Sequence, residues 1–141
     1  MQELNQPTTV VHAATVAVDV PGEPVVLMPA LLHYDRADPY AVLLSLGAPE
    51  TEPVDWVFAR SLLAEGMRRP SGVGRVLVNP PHRCHRDSVR IVVRSAHRAA
   101  LIEVRTTDVR EFLRRSYALV PDGKEYIDVD GALAVLMDSC D

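Results

Sequence analysis

Three short stretches of the chain hold residue types able to do chemistry. His82-Arg-Cys84-His85 sets two imidazoles and a thiol within four residues, and these are zinc donors, of which a closed structural site takes four. The other donors, His12, His33, His97 and Cys140, are scattered without a second ligand pair. The cluster also follows Pro80-Pro81, so it reads as an exposed polar turn and no metal is assigned. Gly72-Val-Gly74 opens like a phosphate-binding loop. Leu77 stands where the third glycine belongs, however, and a strand pattern follows where a helix is required; a flexible turn is the better reading. Asp128-Val-Asp130 could chelate a cation, but paired acids at a helix start act as caps favoured by the helix dipole. No nucleophile elbow, zinc-protease helix motif or P-loop is present. The reading is therefore no enzyme, no catalytic residue and no cofactor.

What remains chemically distinctive is arginine. Net charge is −4, yet residues 1–59 carry eight acids against Arg36, residues 60–115 carry thirteen Arg against five acids, and residues 116–141 carry six acids against Lys124. Three readings are open for this asymmetry. The acidic flanks can match the basic middle within or between subunits; the middle can face an acidic protein or a nucleic acid; or the arginines can reflect codon usage alone. Overall acidity opposes the counterion release that drives nucleic-acid binding. The seven aromatics, moreover, avoid the Arg-rich segment 88–94, which leaves it without stacking platforms for single strands.

The elements that must position these residues follow from periodicity. With 141 residues and 48% hydrophobic content, the chain fits one domain, residues 1–141, with a frayed start at 1–7. Strands are expected at 8–20 (as one or two), 25–34, 40–46 and 54–58, then a helix at 59–69 ended by Pro70-Ser-Gly72. A short strand at 75–79 follows. In 88–94, Val89, Ile91 and Val93 alternate with Arg90, Val92 and Arg94, so one side is wet or partner-facing. A partner strand is expected at 99–105, a helix at 108–117 capped by Asp108 with Arg114 and Arg115 in its last turn, and a short helix at 128–137. Trp56, Phe58, Leu62, Leu63, Phe112 and Leu113 are the expected core. The class is α+β: antiparallel sheet of about seven strands with two to three helices, each half a meander closed by a helix. No apolar run approaches a membrane span, no leader opens the chain, and two cysteines fit a reducing cytoplasm.

Several segments resemble the SsgA-like family of sporulation and cell-division regulators of filamentous actinomycetes. Leu32-His-Tyr-Asp-Arg-Ala-Asp-Pro-Tyr-Ala-Val42 is similar to its "LRY–ADPYAV" segment, and Asp55-Trp-Val-Phe-Ala-Arg-Ser-Leu-Leu-Ala-Glu-Gly66 to its "WVFARELLxxGL". Arg69-Pro-Ser-Gly-Val-Gly74, Ala100-Leu-Ile-Glu-Val104, Phe112-Leu-Arg-Arg-Ser116 and Leu119-Val-Pro-Asp-Gly-Lys-Glu125 follow in family order. Two departures add positive charge: Arg75 stands where the family has an acid, and Ser95-Ala-His-Arg98 replaces an acidic "SSPEG" turn.

The resemblance implies a whirly-like fold, a trimeric assembly and no catalysis. It also implies a cytoplasmic role in choosing where septa form, one member being associated with positioning the tubulin-like division GTPase FtsZ. The expected function is a protein-binding adaptor in septum-site control, with FtsZ or other SsgA-like proteins as partners. The candidate interaction residues are Arg68, Arg69, Arg86, Arg90 and Arg94. The alternative is a single-stranded nucleic-acid-binding module of the same fold.

Overall fold

The computed structural model describes residues 7–84 and 86–125. Except for Pro7, the start expected to fray lies outside the described residues, as does the helix expected at 128–137. Seven strands and two helices follow in the order β1 (Thr9–Asp19), β2 (Val26–Asp35), β3 (Ala41–Leu46), β4 (Val54–Ala59), α1 (Arg60–Gly66), β5 (Val76–Asn79), β6 (Ser88–Arg94), β7 (Ala99–Arg105) and α2 (Thr106–Leu119). All seven strands join one antiparallel sheet in the order β4-β3-β2-β1-β7-β6-β5. The two meanders are thus fused along β1 and β7, and the seam is short, joining only Ala17–Asp19 to Leu101–Glu103.

Period two decides which side each strand buries. Val16, Val18, Leu32, Leu44, Phe58, Val78, Ile91, Ile102 and Val104 face inward and are buried. They meet Leu63 of α1 and Val109, Phe112 and Leu113 of α2 in one core. Trp56 and Leu62, expected inside, are only partly buried and pack against its margin.

Both helices begin directly at a strand end with no side-chain cap. The backbone of the preceding residue is still extended, and the first free N–H is taken by the sheet instead: Arg60 N–H donates to the Tyr40 carbonyl at 2.8 Å and Thr106 N–H to the Asp87 carbonyl at 2.8 Å. A carbonyl from a distant segment of the same chain thus does the work of a capping side chain. This corrects the expected start of α2. The helix begins two residues before Asp108, which lies within its first turn and accepts a 2.8 Å bond from His12 of β1. Arg114 and Arg115 consequently fall ahead of the last turn.

The cation that satisfies the end of α2 comes from elsewhere in the chain. Arg60 is 1% exposed. Its Nη1 donates to the carbonyls of Ser116 (3.0 Å) and Val120 (2.8 Å), and its Nη2 to the Glu125 carboxylate (3.0 Å). The guanidinium also lies 4.6 Å from the Tyr34 ring centre and 4.0 Å from that of Tyr117. A positive group at a helix C-terminus is favoured by the dipole and by the carbonyls left free there. Burial raises the phenol pKa of Tyr34 and of Tyr117, an effect Arg60 partly offsets. The Glu125 carboxyl is held below the usual range by its own backbone N–H, by Arg60 and by the Gly123 N–H.

A second tight point is Gly66, at the end of α1. A Cβ there would lie 2.2 Å from Cγ1 of the fully buried Val78, so only glycine lets the helix approach β5 this closely.

Three outcomes are expected. Arg60→Met takes the arginine donor from the Val120 carbonyl, leaves the Ser116 carbonyl with the Val120 N–H alone, and removes the Glu125 pairing and the aromatic stacking, costing about 3 kcal/mol or more in urea unfolding. Gly66→Ala forces α1 off β5 and lowers stability by about 1–3 kcal/mol in the same assay. The third concerns pH. The folded state lowers the pKa of Glu125, so its contribution is full above the unfolded value of about 4.3 and is lost as pH falls through the lower folded value. Wild-type stability should therefore drop more steeply on acidification below about pH 5 than that of Glu125→Gln; equal slopes would remove this assignment.

Candidate protein-interaction surface

Register places the outward side chains of β5, β6 and β7 in rows. Asn79, Arg90 and Glu103 lie across from one another; so do Leu77, Val92 and Leu101; Arg94 stands opposite Ala99. The Arg94 N–H donates to the Arg75 carbonyl at 2.8 Å, which brings Arg75 to the same end. An apolar cross-strand band, half-buried along its length, therefore runs between two rows that each carry an arginine. Val92, Ala99 and Leu101, together with Asp19 and Pro21, line a shallow hollow of about 320 Å³ on this face. An apolar floor with a charged rim is the usual anatomy of a protein interface.

The five candidate arginines do not form one patch. Arg90 and Arg94 share the outer face of β6, and Arg86 is exposed in the turn leading into it. Arg94 is exposed; Arg90 is half-buried, with its Nη2 3.3 Å from His82 Nε2. Among the described residues, Arg86 and Arg94 have no carboxylate partner. Arg68 and Arg69 follow α1, which packs on the inward side of β5 through Gly66 and Val78. Both pair with Glu65 of the same helix. With Arg110, Arg68 borders a separate groove of about 410 Å³ between the helices, floored by Ala64, Met67 and Leu113. Arg68 and Arg69 thus share one carboxylate, which offsets half of their charge, and sit on the helix-covered side, away from the β6 row.

The other motifs resolve into local structure. Cys84 is exposed, and its backbone N–H donates to His82 Nδ1 at 3.3 Å. Among the described residues no three metal-ligating side chains converge; His85 and Cys140 lie outside them. Gly72 and Gly74 occupy a turn with φ of +107° and +85°, where the backbone of Ser71 closes a two-bond bridge with Val78 at 2.9 Å. No helix among the described residues is long and apolar enough to cross a membrane.

Sequence reasoning did not single out Arg60. A signal was available: Trp56, Phe58 and Arg60 share the parity of the inward face of β4, so a strand that switches directly into a helix carries this arginine into the core. Arg75 and the apolar band were also missed as parts of the surface, because register across three strands was needed to align them.

Comparison with known proteins agrees with this architecture. The family model described as Streptomyces sporulation and cell division protein, SsgA, matches residues 28–125. The sporulation-specific cell division protein SsgB of Streptomyces coelicolor is 39% identical over 132 residues, covering 92% of this chain and 96% of that protein. SsgB of Frankia casuarinae is 41% identical over 120 residues, covering 84% of each. The crystal structure of an SsgA-like sporulation-specific cell division protein from Thermobifida fusca superposes with a TM-score of 0.78 at 35% identity, covering 90% of this chain and 94% of that one. A solved chain reported with SsgB mutations that correlate with longitudinal division during sporulation of Streptomyces coelicolor gives a TM-score of 0.73 at 43% identity, covering 84% of this chain and 91% of that one. These relatives are named as division proteins, not as enzymes. With the family model covering well over half of its length and its α+β sheet matched by solved members, the chain belongs to the SsgA family of sporulation and cell division proteins.

Proposed function

We propose that this chain is a non-enzymatic adaptor in septum-site control that binds a protein partner through the outer face of β5–β7. The carrying observation is the row of Arg90 and Arg94 beside the half-buried band Leu77, Val92 and Leu101. The fitting partner is a segment that is both acidic and apolar: carboxylates meet the rim while an aliphatic side chain enters the hollow at Val92 and Leu101. FtsZ, or another SsgA-like protein, is the partner the family resemblance supports, met in the cytoplasm at division septa. Rim charges of this kind act mainly on encounter rate and orientation, so the interaction is salt-sensitive.

The same reading takes the chain to be a homo-oligomer, with a trimer implied by the resemblance. Val25, Val26 and Leu27, between 50% and 72% exposed at the β1–β2 turn and the start of β2, support an apolar contact between copies.

Co-sedimentation with FtsZ at low and high salt tests the adaptor role. Binding is expected at low salt and is expected to weaken about tenfold or more in Arg90→Glu/Arg94→Glu, while Arg68→Glu/Arg69→Glu changes it little. Absence of low-salt binding to FtsZ and to every other septation protein tried would overturn the reading. Steeply salt-dependent gel shifts with single-stranded DNA would transfer it to nucleic acid.

A further inference from the structure

Both helices start at one end of the sheet. α1 follows Ala59, which pairs with Ala41, and α2 follows Arg105, which pairs with Ser88. α2 then crosses from the Asp87 carbonyl, beside β6, to Arg60 and Arg36 near the end of β2. At the opposite end Leu46 pairs with Val54 and Val93 with Ala100. There the inward side of the sheet opens into a groove of about 290 Å³ walled by Val18, Met28, Leu46, Trp56 and Val93. Its described lining comes from strands and turns rather than from either helix. Val54, also in the lining, is 58% exposed.

Two polar side chains, Ser95 and Arg98 of the β6–β7 turn, interrupt this apolar lining. Ser95 is engaged in the turn itself: its N–H donates to the Arg98 carbonyl at 2.8 Å, and its hydroxyl accepts from the Arg98 N–H at 3.3 Å. These bonds fix the Arg98 backbone. Its side chain is exposed and has no carboxylate partner among the described residues. The groove therefore offers one positive charge beside an apolar floor. Small-molecule sites begin at about 300 Å³ and orient their ligand with several placed polar groups. At that lower bound, with a single cation, this groove suits one large side chain with an acid beside it. The β1–β2 and β3–β4 connections meet the same end of the sheet and carry Glu23, Glu50 and Glu52. They disfavour a run of acids, so charge complementarity selects a single carboxylate at Arg98. An apolar anchor in a pocket with a charged rim is how protein interfaces concentrate their binding energy.

We propose that this groove docks a segment of a partner protein in which one large aliphatic or aromatic side chain stands next to a single carboxylate. The side chain enters between Met28, Leu46 and Trp56, and the carboxylate meets Arg98. Val54 extends the apolar contact at the mouth. The groove lies on the opposite side of the sheet from Arg90 and Arg94, so this contact goes beyond the outer-face reading and does not depend on it.

Trp56 is the only tryptophan, so quenching of its fluorescence by acrylamide reads this groove in the full chain. The probes are a blocked peptide with adjacent phenylalanine and aspartate among serines and glycines, the same peptide with lysine for aspartate, and decanoate. The aspartate peptide is expected to shield Trp56 saturably, and the lysine peptide to bind about fivefold more weakly. Arg98→Glu should invert that preference, and Val54→Asp should weaken both peptides. Both sites are exposed, so the thermal unfolding of these variants should match that of the unmodified chain. Arg90→Glu/Arg94→Glu should leave the shielding unchanged, which separates this contact from the outer face. Absence of shielding by either peptide at millimolar concentration would overturn the proposal. So would peptide binding indifferent to Arg98→Glu, shielding by decanoate alone, which assigns the groove to an acyl chain, or shielding that rises with protein concentration alone, which assigns it to a second copy.

Discussion

One buried guanidinium connects the two halves of this molecule. Arg60 begins the first helix, yet its side chain ends among the last carbonyls of the second, between Tyr34 of β2 and Tyr117 of α2. A buried charge is costly unless it is paired and hydrogen-bonded. Here two carbonyls, a carboxylate and two aromatic faces share that requirement, and all five partners must be in place together. The first meander, α2 and the chain beyond α2 therefore all meet at a single group. Lysine would carry the charge but not the planar fork that serves three oxygens at once.

This constraint explains how a sheet with so short a seam holds together. β1 and β7 share three residue pairs, after which β1 continues without β7 toward its own N-terminus. α2 bridges the gap: Asp108 bonds His12, and Arg115 donates to the Val11 carbonyl at 3.1 Å. Arg36, next to the end of β2, reaches the Leu119 carbonyl at 3.4 Å. Both ends of α2 are thus held by the first meander, although the helix itself follows the second.

Much of this architecture is legible in the sequence because strand periodicity is local. Alternation in Ser88–Arg94 separates Val89, Ile91 and Val93 from Arg90 and Arg94, and burial follows that division. Element order and the helical faces of Leu63, Phe112 and Leu113 are equally local. What fails to be legible is whatever depends on a distant backbone. The start of α2 is misplaced because a carbonyl of Asp87, not a side chain near Asp108, satisfies its first N–H. Arg68 and Arg69 look equivalent to Arg90 and Arg94 in a count of charges. Only the packing of Gly66 on Val78 assigns them to the other side of the sheet. Arg60, one arginine among thirteen in its segment, is distinguished by parity alone.

The charge asymmetry along the chain accordingly has two separate physical meanings. Arg60 with Glu125 matches the basic middle to an acidic flank, and His12 with Asp108 ties the other flank to it with the acid on the middle's side; both serve the fold. Arg86 and Arg94 take no part in that matching among the described residues. The outer face of the first meander, by contrast, presents Val11, Ala13, Leu27, Leu31, Leu43 and Val57 along β1 to β4, and the charges at its strand ends are the acids Asp19, Asp35 and Asp55. One continuous sheet therefore offers two chemically different exteriors, apolar with acidic ends on β1–β4 and arginine-bearing, with Glu103 among the arginines, on β5–β7. A partner that needs carboxylates recognised would gain little from the first and much from the second. Because both lie on the same rigid sheet, contacts made on one exterior need not distort the other.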